Sequence, residues 1–230
     1  MGKGLTLTWL GLLTALLAVL LWQGWRNLPD AWNPWAPLDL REPANALTRW
    51  KLARLRSEPQ LCAAALATSS LNYRKQADTG GPCPLSGGVR VQGGEQALSS
   101  SFVASCPMAV AFALFSQNAV RPAAQRVFGE PVARIEHLGS FACRNIYGRA
   151  DARRSQHATA NAIDIAGFRL ADGRQISVLH DWGQDTPAGR FLREVRDGAC
   201  GSFGTVLGPD YNAAHRNHLH MDTAGWALCR

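Results

Sequence analysis

Two separate segments of the chain carry histidine and aspartate residues that suit a metal site. The first, RRSQHATANAIDIAGF, spans residues 153–168 and places His157 and Asp164 seven positions apart among small and apolar residues. The second, HRNHLHMD, spans residues 215–222 and holds three of the six histidines. Imidazole nitrogens and carboxylate oxygens are the ligands that Zn²⁺ takes in catalytic sites. The two segments therefore predict one metal site, provided that folding brings them together.

The spacing within each segment decides what it contributes. Alternate residues of a strand share a face, so His218 and His220 would point to one spot if HLH lies in a strand. An extended path would separate His157 from Asp164 by roughly 23 Å, which is too far to share an ion. The small residues between them allow the chain to turn back, so we expect a loop histidine and a strand aspartate to converge. Each segment alone is weak evidence, because HxH occurs by chance on many strands and a buried histidine is often only structural.

The elements expected around these residues make an α+β domain. Residues 44–69 predict two short helices separated at Glu58-Pro59. Ser105 is expected to cap a further apolar helix, and Thr186 to cap another with Pro187 in its first turn. After Pro131 the sequence pattern predicts short β-strands bounded by Gly, Asn or Asp.

The N-terminus is expected to be a membrane segment. Leu5 to Trp22 is free of charge and long enough to cross most of the hydrocarbon layer of a bilayer, which is roughly 30 Å thick, and no convincing cleavage site follows it. We therefore divide the chain into a signal anchor over residues 1–26, a proline-rich extended tether over residues 27–43, and one domain over residues 44–230.

The cysteines indicate an oxidising compartment. All six lie beyond the apolar segment and form neither a CxxC pair nor a zinc-finger spacing. Three disulfides are expected, which would place the domain outside the cytoplasm, anchored to the inner membrane and facing the periplasm. Fifteen pairings are possible for six cysteines, and the sequence does not choose among them. Six reduced cysteines in a cytoplasmic domain are the alternative.

The net charge of +7 comes from scattered arginines and not from a basic run. This distribution disfavours nucleic acid as a partner and suits an anionic polymer or a membrane surface. The oligomeric state is left open.

Two family resemblances follow from the quoted motifs. Ser155-x-His157 with Ala162-x-Asp164 and His218-x-His220 resembles the SxHxxGxAxD and HxH signatures of zinc D,D-peptidases of the hedgehog and D-alanyl-D-alanine carboxypeptidase type. The stretch that begins at Cys106 and includes CRNIYGR, SQHATANAIDIAGFRLADG, HRNHLHMD and the terminal ALCR is similar to the bacterial extensin-like C-terminal family. That second likeness covers roughly residues 40–230. The resemblances imply a small antiparallel sheet with flanking helices.

The resemblance also implies roles for individual residues. His157, Asp164 and His220 would bind Zn²⁺, and His218 beside the metal would transfer the proton. Arg144 would stabilise the oxyanion. Ser155 would support the site within the motif loop. The residues themselves add His215 as another proton acceptor, and Asp222 and Asp210 as carboxylates that either orient His220 or His218 or cap a turn.

The sequence departs from the family pattern at two places. Ala160 replaces the motif glycine, and no glutamate precedes HxH where several relatives have a general base. A neutral histidine, His218 or His215, would then have to take the proton. The expected function is a membrane-anchored zinc peptidase that hydrolyses a stem or cross-link peptide of peptidoglycan. The alternatives are a metal-containing module that binds the cell wall without cleaving it, and a disulfide-stabilised envelope assembly factor.

Overall fold

The computed structural model describes residues 2–225 and 228–230 and has a mixed α+β architecture, as expected. Within those residues the helices are α1 (Gly2–Arg26), α2 (Thr48–Arg54), α3 (Pro59–Ala67), α4 (Cys106–Phe115), α5 (Arg121–Phe128), α6 (Val178–Asp181) and α7 (Pro187–Ala199). A π-helical turn, Ser116–Val120, joins α4 to α5.

The strands form two sheets. They are β1 (Asn72–Lys75), β2 (Val89–Gly93), β3 (Ala97–Leu98), β4 (Phe102–Ala104), β5 (Val132–Gly139), β6 (Ala162–Leu170), β7 (Gln175–Ser177), β8 (Thr205–Leu207), β9 (Leu219–Asp222) and β10 (Leu228–Cys229). The smaller sheet has the order β1-β2-β4, and the larger one has the order β10-β8-β9-β6-β5-β3 with β7 paired to β6.

The larger sheet differs from the small antiparallel sheet that was expected. Its central pairs are antiparallel, but β3 pairs with β5 and β10 pairs with β8 in parallel. Both added strands are two residues long in the described chain, too short to show an alternating pattern in the sequence. The prediction was correct for the centre of the sheet and wrong for its edges.

The helix starts follow the capping residues of the sequence. The Ser105 hydroxyl accepts a hydrogen bond from the Met108 backbone amide at 3.3 Å, and the Thr186 hydroxyl accepts one from Gly189 at 3.2 Å. Each cap satisfies an amide that the first helical turn leaves without a partner. Because α4 is buried along its length from Met108 to Phe115, it forms the centre of the core.

Helix α1 is long and apolar enough to cross a membrane. The qualifying window is Trp9–Arg26, and none of it is buried against the rest of the chain. A membrane anchor and a signal sequence share these properties, and no other helix in the described residues has them.

The segment over residues 27–43 is not extended throughout. It contains a short 3-10 turn, Asp30–Trp32, and its side chains Leu38 and Leu40 are buried in the core. The Leu40 amide also donates to the Thr68 hydroxyl at 2.8 Å. The prolines remove helical and strand periodicity, which is why this packing was not visible in the sequence.

Three disulfides are present, and the described residues include no free cysteine. They join Cys62 to Cys106, Cys83 to Cys143, and Cys200 to Cys229. The first links α3 to α4, and the third connects the end of α7 to β10. Three disulfides were expected, and the structure shows which of the fifteen possible pairings they form.

Candidate metal centre

The pairing of β6 with β9 brings Asp164 and His220 together. The two residues are direct partners in the antiparallel register, flanked by Ile163 opposite Met221 and Ile165 opposite Leu219. Directly opposed side chains lie on the same face of a sheet. The fully buried Ile163, Ile165, Leu219 and Met221 hold this register, because a slip by one residue would expose all of them.

His157 reaches the same face from a 3-10 turn, Gln156–Thr159, that precedes β6. The Ser155 hydroxyl caps this turn by accepting a hydrogen bond from the His157 amide at 3.3 Å. Ala160 then adopts the left-handed conformation, with φ of 52°, and the chain reverses into β6. The turn that the small residues led us to expect is therefore present, and Ala160 occupies a backbone conformation that favours glycine.

The three side chains meet at one point. Nε2 of His157 and Nδ1 of His220 are 3.2 and 2.9 Å from Oδ1 of Asp164, and 3.1 Å from each other. One ligand atom from each residue lies within 4.8 Å of the other two. A spacing of this size allows a single ion to contact all three atoms, since Zn–N and Zn–O bonds are about 2 Å long.

Hydrogen bonds on the far side of each ring prepare both histidines as ligands. Nδ1 of His157 donates to the Ser140 carbonyl at 2.9 Å, which leaves Nε2 as the nitrogen with a lone pair when the ring is neutral. Nε2 of His220 faces Oδ2 of Asp222 at 3.2 Å, so a neutral His220 presents Nδ1 toward Asp164. Asp222 is itself oriented by the Ala224 amide at 2.9 Å. Carboxylates and carbonyls commonly orient metal-binding histidines in this way, and the donor set therefore fits a Zn²⁺ ion.

The charges of the cluster are strongly coupled. Burial opposes ionisation of Asp164, yet hydrogen bonds from His157 and His220 hold the pKa of that carboxyl well below its usual value. Burial alone would lower the pKa of His220, but hydrogen bonds to Asp164 and Asp222 raise it to about 9. Without a cation, the protein thus keeps a proton on His220 beside an ionised Asp164. A divalent cation could take the place of that proton.

His218 and His215 lie next to the cluster. Nε2 of His218 is 3.6 Å from Oδ1 of Asp164, and its Nδ1 donates to the Asn217 side chain at 2.9 Å. His218 precedes β9 and does not belong to it, so it converges with His220 without sharing the strand. Burial lowers its pKa, and Arg144 is one of the cations that add to this effect.

The His215 ring packs against His218, with ring centroids 5.3 Å apart and ring planes tilted by 47°. Its Nδ1 donates to the Asn212 side chain at 2.8 Å, and burial followed by the nearby His218 and His220 lowers its pKa to about 4. Both histidines are therefore set up as neutral proton acceptors at neutral pH.

The cluster opens into a cleft of about 410 Å³. Arg144 and Arg153 are exposed side chains on the cleft wall, and Arg144 lies in the loop after β5. Tyr147 and Tyr211, which no sequence pattern indicated, also line the cleft and are 55% and 44% exposed. Tyr147 has a φ of 54° and accepts a hydrogen bond from Asn212 at 3.0 Å. Two tyrosines in separate loops carry no spacing signal, so only the fold reveals them.

Three other polar residues do not line the cleft. His137 donates from Nε2 to the Ser100 carbonyl at 2.8 Å, and His180 is exposed in α6. Asp210 does not orient a site histidine and instead accepts a hydrogen bond from the Trp182 indole at 2.9 Å.

Comparison with known proteins identifies the family. The profile for the extensin-like protein C-terminus matches residues 60–230, so the chain belongs to this family. No curated protein and no solved structure matched the chain.

Proposed function

We propose that this protein is a membrane-anchored, zinc-dependent peptidase that hydrolyses a stem or cross-link peptide bond of peptidoglycan. The observation that carries the proposal is the convergence of His157, Asp164 and His220 at the floor of an open cleft. Two histidines and one carboxylate leave a coordination position for water or substrate, as catalytic zinc sites require. The likeness of the motifs to zinc D,D-peptidases supports the same assignment.

When bound, Zn²⁺ would polarise the scissile carbonyl and activate water for attack. His218 would accept the proton at Nε2 and pass it to the leaving amine, because the hydrogen bond from its Nδ1 to Asn217 leaves Nε2 unprotonated in the neutral ring. Arg144 on the cleft wall would stabilise the negative charge that develops on the carbonyl oxygen.

The cleft suits a peptide that carries carboxylates. Arg144 and Arg153 provide positive charge along its wall, while Ile146, Tyr147 and Tyr211 provide apolar and aromatic surface. Stem peptides of peptidoglycan combine carboxylates with small side chains. The net charge of +7 also favours an anionic polymer.

The proposed location is the periplasmic face of the inner membrane. Helix α1 would remain as an uncleaved anchor, and the three disulfides agree with an oxidising compartment. Mass analysis of the purified protein tests this part, because an intact N-terminus indicates an anchor and a chain that begins near residue 27 indicates a cleaved signal.

The experiment for the activity uses the full chain in nanodiscs with purified muropeptides, and mass spectrometry of the products. Cleavage should require stoichiometric zinc and should disappear with a chelator and in the His157→Ala and Asp164→Asn variants. His180→Ala is the matched control and should cleave at the wild-type rate. Cleavage that persists in folded variants of both ligands would refute the metal mechanism.

One observation favours a second candidate, a zinc-containing module that binds wall peptides without hydrolysis. Among the described residues that line the cleft, Asp164 and Asp222 are the only carboxylates, and both are engaged by histidines. Binding of muropeptides to the zinc-loaded protein without any product would support this candidate.

A further inference from the structure

The segment between α1 and the domain is held by the domain itself. Three side chains donate hydrogen bonds to its backbone carbonyls: Lys51 to Asp30 at 2.7 Å, Asn45 to Ala31 at 2.9 Å, and Arg54 to Pro34 at 2.8 Å. Lys51 is only 4% exposed, so its ammonium group is committed to this contact. With Leu38 and Leu40 buried beyond these bonds, residues 30–40 belong structurally to the domain.

This arrangement limits how far the domain can lie from the end of α1. The helix ends at Arg26, and Asp30 is already bound to Lys51. Four Cα-to-Cα steps of about 3.8 Å each allow at most roughly 15 Å between these two residues. The polar layer of a bilayer is itself roughly 5–7 Å thick on each side. A domain connected in this way is kept at the bilayer surface if α1 spans the membrane.

Exposed indoles are concentrated where the chain enters the domain. Trp32 and Trp35 belong to the held segment and are 52% and 63% exposed, and Trp50 of α2 is 40% exposed. The rings of Trp35 and Trp50 meet edge to face with centroids 5.9 Å apart. The Arg54 guanidinium lies 5.7 Å from the Trp35 ring and 5.0 Å from the Trp50 ring. The held segment thus contributes Trp32 and Trp35 to this group of exposed indoles, and α2 contributes Trp50.

We propose that Trp32, Trp35 and Trp50 form a membrane-contact surface that inserts into the headgroup and glycerol layer of the bilayer crossed by α1. Indole rings prefer this layer because they combine a large apolar face with an N–H donor. Residues 26–58 contain six basic and four acidic side chains, so repulsion from anionic headgroups is not expected. The inference rests on the anchor part of the proposed function and is independent of the zinc site.

The test uses the full chain in nanodiscs whose phosphatidylcholine carries bromine near the top of the acyl chains, which quenches nearby indoles. The variant replaces Trp32, Trp35 and Trp50 by Phe, which keeps apolar rings but removes their emission. Trp182→Phe is the control, because Trp182 is hydrogen-bonded to Asp210 within the domain. The measured quantity is the fraction of tryptophan emission that the bromolipid quenches.

If the three indoles contact the bilayer, their removal deletes quenched emission and the quenched fraction falls below that of the wild type. The control deletes unquenched emission, so its quenched fraction rises. A rise in the triple variant as well would overturn the inference while leaving the anchor in place, because Trp9, Trp22 and Trp25 of α1 still report insertion. A wild-type chain without any quenching would show that α1 is not in the bilayer, which overturns the anchor and this inference together.

Discussion

Nε2 of His220 lies 3.2 Å from Oδ2 of Asp222, and the two residues are alternate positions of the same strand. Alternate residues of a strand share a face, so HMD in β9 places the Asp222 carboxylate beside the His220 ring. The opposite ring nitrogen of His220 faces Asp164 at 2.9 Å.

This relationship predicts that Asp222 controls metal affinity without binding the metal. Asp222→Ala should weaken zinc binding by about 10- to 100-fold, because His220 loses the partner that fixes its orientation. Asp222→Asn keeps an acceptor oxygen and should therefore lose less zinc affinity than Asp222→Ala. Competition with a chelating indicator measures the affinity, and Asp210→Ala, which removes a carboxylate outside the site, should match the wild type. Equal affinities for all four proteins would exclude this role.

Zinc binding should release a proton at neutral pH. The two carboxylates raise the pKa of His220 to about 9, so the metal-free protein carries that proton at pH 7. Zinc requires the neutral ring, and its apparent affinity should therefore rise by about tenfold per pH unit between pH 7 and pH 8.5. Calorimetry in two buffers of different ionisation enthalpy gives the number of protons released. Binding without proton release would contradict the assignment of His220 as a ligand.

The free energy of unfolding of the metal-free protein should decrease as the pH rises, whereas its affinity for zinc should increase. His220 has a folded-state pKa above its unfolded value of 6.5, so its contribution is complete below pH 6.5 and is lost as the pH rises toward 9. Urea unfolding with a chelator present should give a free energy of unfolding that decreases across this window. The His220→Gln variant should lack this decrease, and an unchanged slope in that variant would place the titrating group elsewhere.

Loss of His218 should affect turnover more than zinc binding. His218→Ala should lower kcat by about 10²- to 10⁴-fold, the usual contribution of a general acid–base group, while zinc content stays at the wild-type level. Steady-state kinetics on muropeptides with metal analysis separates the two effects. If His215→Ala loses kcat and His218→Ala does not, the proton acceptor is His215 and the proposed role of His218 is wrong.

The left-handed turn at Ala160 should tolerate few side chains. Ala160 is fully buried with a φ of 52°, so Ala160→Val adds a β-branched side chain where both backbone and packing oppose it. We expect a loss of about 2–3 kcal/mol in the free energy of unfolding, measured by urea denaturation. Ala160→Gly is the control and should stay within about 1 kcal/mol of the wild type. A Val variant as stable as the control would show that this turn is not constrained.

The grouping of His157, Asp164 and His220 was accessible from the sequence because its spacing rules are local. The small residues before Asp164 allowed His157 to turn back, as expected. The expected strand over HLH was wrong for His218, because β9 begins at Leu219. The helix caps at Ser105 and Thr186 were equally local, since each depends on one side chain and the first helical turn.

What the sequence did not reveal depends on contacts between distant segments. Tyr147 and Asn212 are 65 positions apart and meet only through the fold. The disulfide pairing and the two-residue edge strands are non-local in the same way. The burial of Leu38 and Leu40 was missed because prolines hide any periodicity there.

The disulfide between Cys83 and Cys143 has a consequence for maturation. Cys143 directly precedes Arg144, so the bridge fastens the loop that presents this guanidinium to the cleft. A chain with reduced thiols would lack this covalent link and would hold Arg144 less firmly in the cleft wall. If the domain is exported as proposed, thiol oxidation would complete the cleft wall only outside the reducing cytoplasm, and the proposed activity would begin only there.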